Sequence, residues 1–102
     1  RIKIMNINKN KEDAKMTIAL EGRLDTTTAP LLEGELKDSL ADITELVFDF
    51  SKLEYISSAG LRVLLVAQKA MNKQGSMVIR NVNDVIMEVF EVTGFSDILT
   101  IE

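Results

Sequence analysis

Along the chain, short stretches of alternating apolar and polar residues give way three times to longer stretches with the apolar spacing of a helix. Ile2 and Ile4, with Met5 or Ile7, alternate with polar neighbours as in a half-buried strand, and Asn8-Lys9-Asn10-Lys11 reads as a turn. Alternation resumes from Ala14 to Leu20, so the two runs predict a β-hairpin with a loop of about five residues.

The segment Glu21-Gly22-Arg23-Leu24-Asp25 ends that strand. Thr26-Thr27-Thr28-Ala29-Pro30 then supplies a hydroxyl cap and a proline in a first helical turn. Leu31, Leu32, Leu36 and Leu40 follow at helical spacing, which predicts a helix over Ala29–Ala41 with Gly34 as a tolerated weak point.

Leu46-Val47-Phe48-Asp49-Phe50 is short, rich in aromatic and β-branched residues, and closed by Ser51-Lys52, as for a buried strand. From Ser58 the period is helical, with Leu61, Leu64, Leu65, Gln68 and Met71 on one face, up to Lys73. Asn72-Lys73-Gln74-Gly75 then offers a glycine suited to a left-handed C-cap. Val63, Val66, Ala67 and Ala70 make this helix apolar well beyond one stripe. Either it is buried on nearly all sides or it exposes an apolar strip for a partner.

Met77-Val78-Ile79-Arg80 reads as a further strand, and Asn81 or Asn83 caps a last helix with Val85, Ile86, Val89, Phe90 and Val92 as its apolar positions, ended by Thr93-Gly94. Ile98 to Ile101 closes the chain as a short strand or extended tail. The order contains two strand-helix-strand units, which require right-handed crossovers and parallel pairing. The expected fold is α/β: a mixed, mostly parallel β-sheet with an N-terminal antiparallel hairpin and three to four helices on one or both faces, in a single domain over residues 1–102.

Composition narrows the chemistry. The chain of 102 residues has no cysteine and no histidine, which removes disulfides, thiolate metal sites, the usual general base and the commonest metal ligand. A net charge of −4 argues against direct nucleic-acid binding, and the basic residues Arg1, Lys3, Lys9 and Lys11 read as solvated surface. No apolar run approaches the roughly 20 residues that span a bilayer, so a cytoplasmic protein with no membrane contact is the expectation.

In a sheet of this kind the strand-to-helix loops gather at the carboxyl ends of the parallel strands. Gly22–Thr28, Asp49–Gly60 and Arg80–Asp84 would meet there, and the first two are rich in polar groups. Ser57 or Ser58 would sit at a helix N-terminus, where free N–H groups and the macrodipole favour a hydroxyl oxygen, a carboxylate or a phosphate. Both also suit a plain helix cap, Asp49 and Ser51 a strand-end turn, and Asp25 an Asx turn. A nucleophilic serine lacks a histidine base, and a Ser-Lys pair would need Lys52 or Lys69 desolvated beside it. Asp25 and Asp49 alone make a weak Mg²⁺ site, and no glycine-rich nucleotide loop is present, so neither a metal nor a cofactor is expected.

The sequence Gly22-Arg23-Leu24-Asp25, followed by Val47-Phe48-Asp49-Phe50-Ser51 and then Tyr55-Ile56-Ser57-Ser58-Ala59-Gly60-Leu61, resembles the STAS family, and within it the bacterial anti-sigma-factor antagonists. The likeness covers nearly the whole chain, and the order and spacing of three motifs make it more specific than any one of them. It implies a non-enzymatic switch. The unphosphorylated form binds an anti-sigma factor that is also a serine kinase, which frees a sigma factor; phosphorylation breaks the complex and a PP2C-type phosphatase restores it.

Ala59-Gly60-Leu61 sets the register, so the resemblance makes Ser58 the phosphate acceptor. Asp25 matches a loop aspartate near the acceptor, and Asp49 with Ser51 matches the strand-end pair. Gly60 belongs to the same motif, and Ser57 stands where many members have Asp. The alternative on the same fold is a STAS-type scaffold or small-ligand-binding module of a larger complex.

Overall fold

Each change of apolar period marks a change of element. The computed structural model describes residues 5–102. Strands β1 (Asn6–Glu12) and β2 (Lys15–Leu24) are followed by helix α1 (Ala29–Ser39), strand β3 (Glu45–Ile56), helix α2 (Ser58–Gln74), strand β4 (Ser76–Arg80) and helix α3 (Asp84–Thr93), with a final 3₁₀ turn over Phe95–Asp97. The four strands form one sheet in the order β1-β2-β3-β4, with the first pair antiparallel and the other two parallel. This is the mixed sheet with an N-terminal hairpin and three crossing helices that the periods predict.

Register puts Met16, Leu46 and Met77 side by side, and likewise Ile18, Phe48 and Ile79. These residues are buried and share one apolar cluster with Leu32 and Leu36 of α1, Leu64 and Met71 of α2, and Ile86 and Phe90 of α3. All three helices therefore cover one face of the sheet. The opposite face carries Thr17, Ala19, Asp49 and Val78 in the alternate positions. Full burial of each large side chain is worth roughly 1.5–3 kcal/mol, so this one layer accounts for most of the apolar driving force.

Several boundaries differ from the sequence reading. Asn8–Lys11 is strand, not turn, and the hairpin closes on Asp13 and Ala14 alone, with Asp13 at φ 56°. The β1 residues are polar because β1 is a sheet edge, where lysines discourage further pairing. Lys9 also reaches across to α1, forming an ion pair with Glu35 and donating to Ser39 Oγ. Ile2 and Ile4, with Arg1 and Lys3, lie outside the described residues.

Strand β3 is more than twice the expected length. Its inward residues are Leu46, Phe48, Phe50, Leu53 and Ile56, so the spacing changes from two to three after Phe50. Pairing with β2 explains this: Ala19 opposes Asp49 but Glu21 opposes Lys52, and Gly22 opposes Leu53 but Arg23 opposes Tyr55. Each step inserts one extra residue in β3, a bulge that turns the next side chain back to the core.

Gly75 ends α2 but at φ 171°, which is extended and not left-handed. Glycine is needed there for space, because a Cβ would lie 1.8 Å from the Thr44 carbonyl oxygen. The left-handed C-cap belongs instead to Gly94, at φ 83° after α3. Asn83 is the cap of α3, its Oδ1 accepting from Ile86 N at 2.8 Å. Ser39, not Ala41, ends α1, and Gln74 Nε2 donates to both the Leu40 and Ile43 carbonyls beyond it. At the carboxyl end a single parallel bridge, Ile101 to Ile79, replaces a full strand.

Candidate functional site

The parallel strands β2 and β3 end together, with Leu24 opposite Ile56. The backbone N–H of Ser57 donates to the Leu24 carbonyl at 2.9 Å, which carries the pairing one residue past β3. The loop into α1 and the start of α2 therefore emerge side by side. Gly60 makes this contact possible: a Cβ there would sit 2.7 Å from Leu24 Cγ and 2.9 Å from Ile56 Cγ1. The first turn of α2 thus lies directly on the end of the sheet.

Ser58 is the first residue of α2 and is exposed. Ser57, the N-cap, is extended at φ −103° and ψ 177°, yet its side chain makes no cap hydrogen bond, and its Oγ is buried without a partner among the described residues. The first N–H groups of α2 consequently keep their donor capacity for whatever lies in front of them. The expectation of a serine cap holds for Ser57 by position but not by hydrogen bonding.

Asp25 opens the β2–α1 loop, one residue past the Leu24 carbonyl that accepts from Ser57 N, and its carboxylate is fixed by hydrogen bonds within that loop. Its Oδ1 accepts from the backbone N–H groups of Thr27 at 3.0 Å and Thr28 at 3.1 Å, the Asx turn expected of it. Thr28 Oγ1 locks the same loop, donating to the Arg23 carbonyl at 2.7 Å and accepting from Asp25 N at 2.9 Å. The Thr28 N–H hydrogen bond, followed by that of Thr27 and the charge of Arg23, holds the Asp25 carboxyl below its ordinary value. Arg23 lies with its guanidinium 4.2 Å from the centre of the Tyr55 ring and its Nε 3.7 Å from Asp25 Oδ2.

Asp49 and Ser51 lie elsewhere. Asp49 precedes Ile56 by seven strand residues, on the order of 20 Å along β3, and faces the helix-free side of the sheet. Its Oδ1 accepts from Asn81 Nδ2 at 2.9 Å and from Ser51 N at 3.0 Å, tying the first bulge of β3 to the loop after β4. These bonds, that of Asn81 first, lower the Asp49 pKa. Strand length separates the pair from Ser58; a sequence reading that ended β3 at Phe50 brought them together.

Between the starts of α1 and α2 is a shallow concavity lined by Thr26, Pro30, Glu33, Ala59 and Arg62. It continues as an apolar groove of about 240 Å³ over Leu36, Leu40, Val63 and Ala67. Val66 on its rim is 52% exposed, so α2 does present part of an apolar strip beside the serines. Arg23, Tyr55 and Arg62 are site residues that the sequence reading missed. Arg62 had a readable signal, since it follows Ser58 by four residues on one helix. No described helix is long and apolar enough to cross a membrane, and no three carboxylates among the described residues are grouped so that they could hold a metal ion.

A family profile described as "Mlab, STAS domain" matches residues 7–100. BtrV of Bordetella bronchiseptica, named as a candidate anti-sigma factor antagonist, is 36% identical over 99 residues, covering 95% of this chain and 85% of that protein. The anti-sigma-B factor antagonist of Bacillus subtilis is 31% identical over 102 residues, covering 95% and 92%. The Bacillus cell fate determinant SpoIIAA in its phosphorylated form superposes with a TM-score of 0.75 over 95% of this chain and 91% of that one, at 16% identity, which is a likeness of fold.

Proposed function

The chain belongs to the STAS domain family, and from that membership we propose that it is an anti-sigma-factor antagonist whose binding state is set by phosphorylation of Ser58. It acts by binding: the unmodified chain engages an anti-sigma factor through the Ser58 turn and so releases a sigma factor. The same partner, acting as a serine kinase, phosphorylates Ser58 and ends the complex, and a PP2C-type phosphatase resets it.

The observation that carries this reading is the placement of Ser58. It is exposed, sits at the first position of a helix laid on the end of the sheet, and has the oriented carboxylate of Asp25 in the adjoining loop. A phosphate there adds about −1.5 to −2 charges at the positive end of the α2 dipole, so the fold accepts it without rearrangement. A partner seated over the turn meets the same charge as repulsion from its own acids and as a desolvation cost. Each 1.4 kcal/mol is tenfold in affinity, so about 3 kcal/mol lowers binding more than a hundredfold.

Two measurements test the proposal. Incubation with the cognate kinase and ATP is expected to place one phosphate on Ser58, read by peptide mass spectrometry, and none on Ser58→Ala. Binding to the anti-sigma factor is expected for the unmodified chain and lost on phosphorylation. Phosphate on a different residue, or equal binding of both forms, overturns it.

A further inference from the structure

We propose that Arg62 is the internal counter-charge of the phosphorylated switch, a positioning residue that draws a phosphate on Ser58 onto its own helix. The inference rests on the reading of Ser58 as the acceptor. Ser58 and Arg62 are the first and fifth residues of α2, so their side chains leave the same face one turn apart, with Cβ atoms about 5–6 Å from each other. An anion four residues before a cation is the favourable order on a helix.

Arg62 is exposed and makes no hydrogen bond or ion pair among the described residues. Arg23, by contrast, is already engaged by Tyr55 and Asp25. Glu33 of α1 lines the same concavity as Arg62, but no ion pair joins them. The one free guanidinium next to Ser58 among the described residues is that of Arg62.

The unmodified first turn of α2 is electrostatically incomplete. It contains no acidic residue, Ser57 gives it no cap hydrogen bond, and Arg62 adds positive charge near the positive end of the dipole. A phosphate on Ser58 supplies what is missing. Its oxygens accept from the free N–H groups of the first turn and from the guanidinium, whose planar fork matches phosphate geometry. Asp25 opposes the new charge from the neighbouring loop, so Arg62 decides whether the dianion is held in one position.

The test uses the whole chain with phosphoserine encoded at position 58, so that it is independent of any kinase. A ³¹P NMR titration at low salt reads the second ionisation of the phosphate, which for ordinary phosphoserine lies near about 6. In the natural sequence it is expected below that value. Arg62→Gln is expected to raise it by about half a unit, a roughly threefold change in proton affinity, and Arg62→Lys to recover part of the difference. A titration unchanged by Arg62→Gln, in a variant with an unchanged melting temperature before phosphorylation, overturns the inference and leaves Ser58 standing as acceptor. Kinase transfer to another residue is a separate result and overturns the reading of Ser58 instead.

Discussion

Asp25 and Asp49 are built alike and placed apart. Each uses Oδ1 to accept a backbone N–H two residues on, and each is held below the ordinary aspartate pKa by its hydrogen bonds. Yet Asp25 stands at the end of its strand, beside the start of α2, whereas Asp49 lies in the middle of β3 on the helix-free face, bonded to Asn81. The same local chemistry thus shapes the loop beside the start of α2 at one position and ties a strand junction at the other. What separates them is the length of β3, which runs seven residues beyond Asp49 and carries two bulges in its pairing with β2.

Charge placement should divide the two regions most sharply. Ser58→Asp is expected to weaken binding of the anti-sigma factor by about a hundredfold or more, with Ser58→Ala still binding, as read by titration calorimetry. Ser51→Asp places the same charge beside Asp49 and is expected to leave binding within about threefold. Equal losses from the two acidic variants would erase the distinction.

Packing gives the next largest effect. Gly60→Ala forces a Cβ against Leu24 and Ile56 and is expected to lower stability by about 1–3 kcal/mol in urea unfolding. Gly34→Ala meets nothing within 4 Å in α1 and is expected to raise stability by up to about 1 kcal/mol. The first substitution should also impair partner binding and the second should not.

Asp49→Ala removes an acceptor from Asn81 and from Ser51 N, for an expected loss of about 0.5–1.5 kcal/mol in the same assay, with phosphate incorporation at Ser58 unchanged. Asp25→Ala is expected to loosen the start of α1 and in addition to slow phosphate transfer. A transfer rate lowered equally by both substitutions would place Asp49 in the site after all.

Acid titration is the smallest and finest probe. Both carboxyls have folded pKa values below the ordinary 3.8, so the stability they add is fully present above that value and is lost as pH falls through the lower, folded one. The stability difference between the natural sequence and Asp49→Ala should therefore be constant above about pH 5 and shrink below pH 4. A gap that persists at low pH would mean that the carboxylate charge contributes little to the tie with Asn81.

Much of this architecture was readable from the chain. The order of the four strands and three long helices, the antiparallel hairpin and the parallel pairings follow from apolar period and turn signals. The differences have identifiable physical causes. A strand is recognised by a period of two, and β3 breaks that period at Ser51 and Glu54 through bulges that only its pairing with β2 can reveal. The β1 segment Asn8–Lys11 has the composition of a turn because an exposed edge imposes nothing apolar on it. Gly75 reads as a left-handed cap, but its reason is the carbonyl of Thr44, thirty-one positions away in sequence. Arg62 follows Ser58 by four residues, but that it is exposed and without a partner among the described residues is visible only in the fold.

The hairpin loop at Asp13 and Ala14 lies at the other end of a ten-residue strand from Asp25, about 30 Å from it along β2. A chain without cysteine accepts one thiol as a unique chemical handle. A fluorophore on Lys11→Cys, exposed on the edge strand next to that loop, would report partner capture and release through tumbling while leaving the Ser58 end free to work.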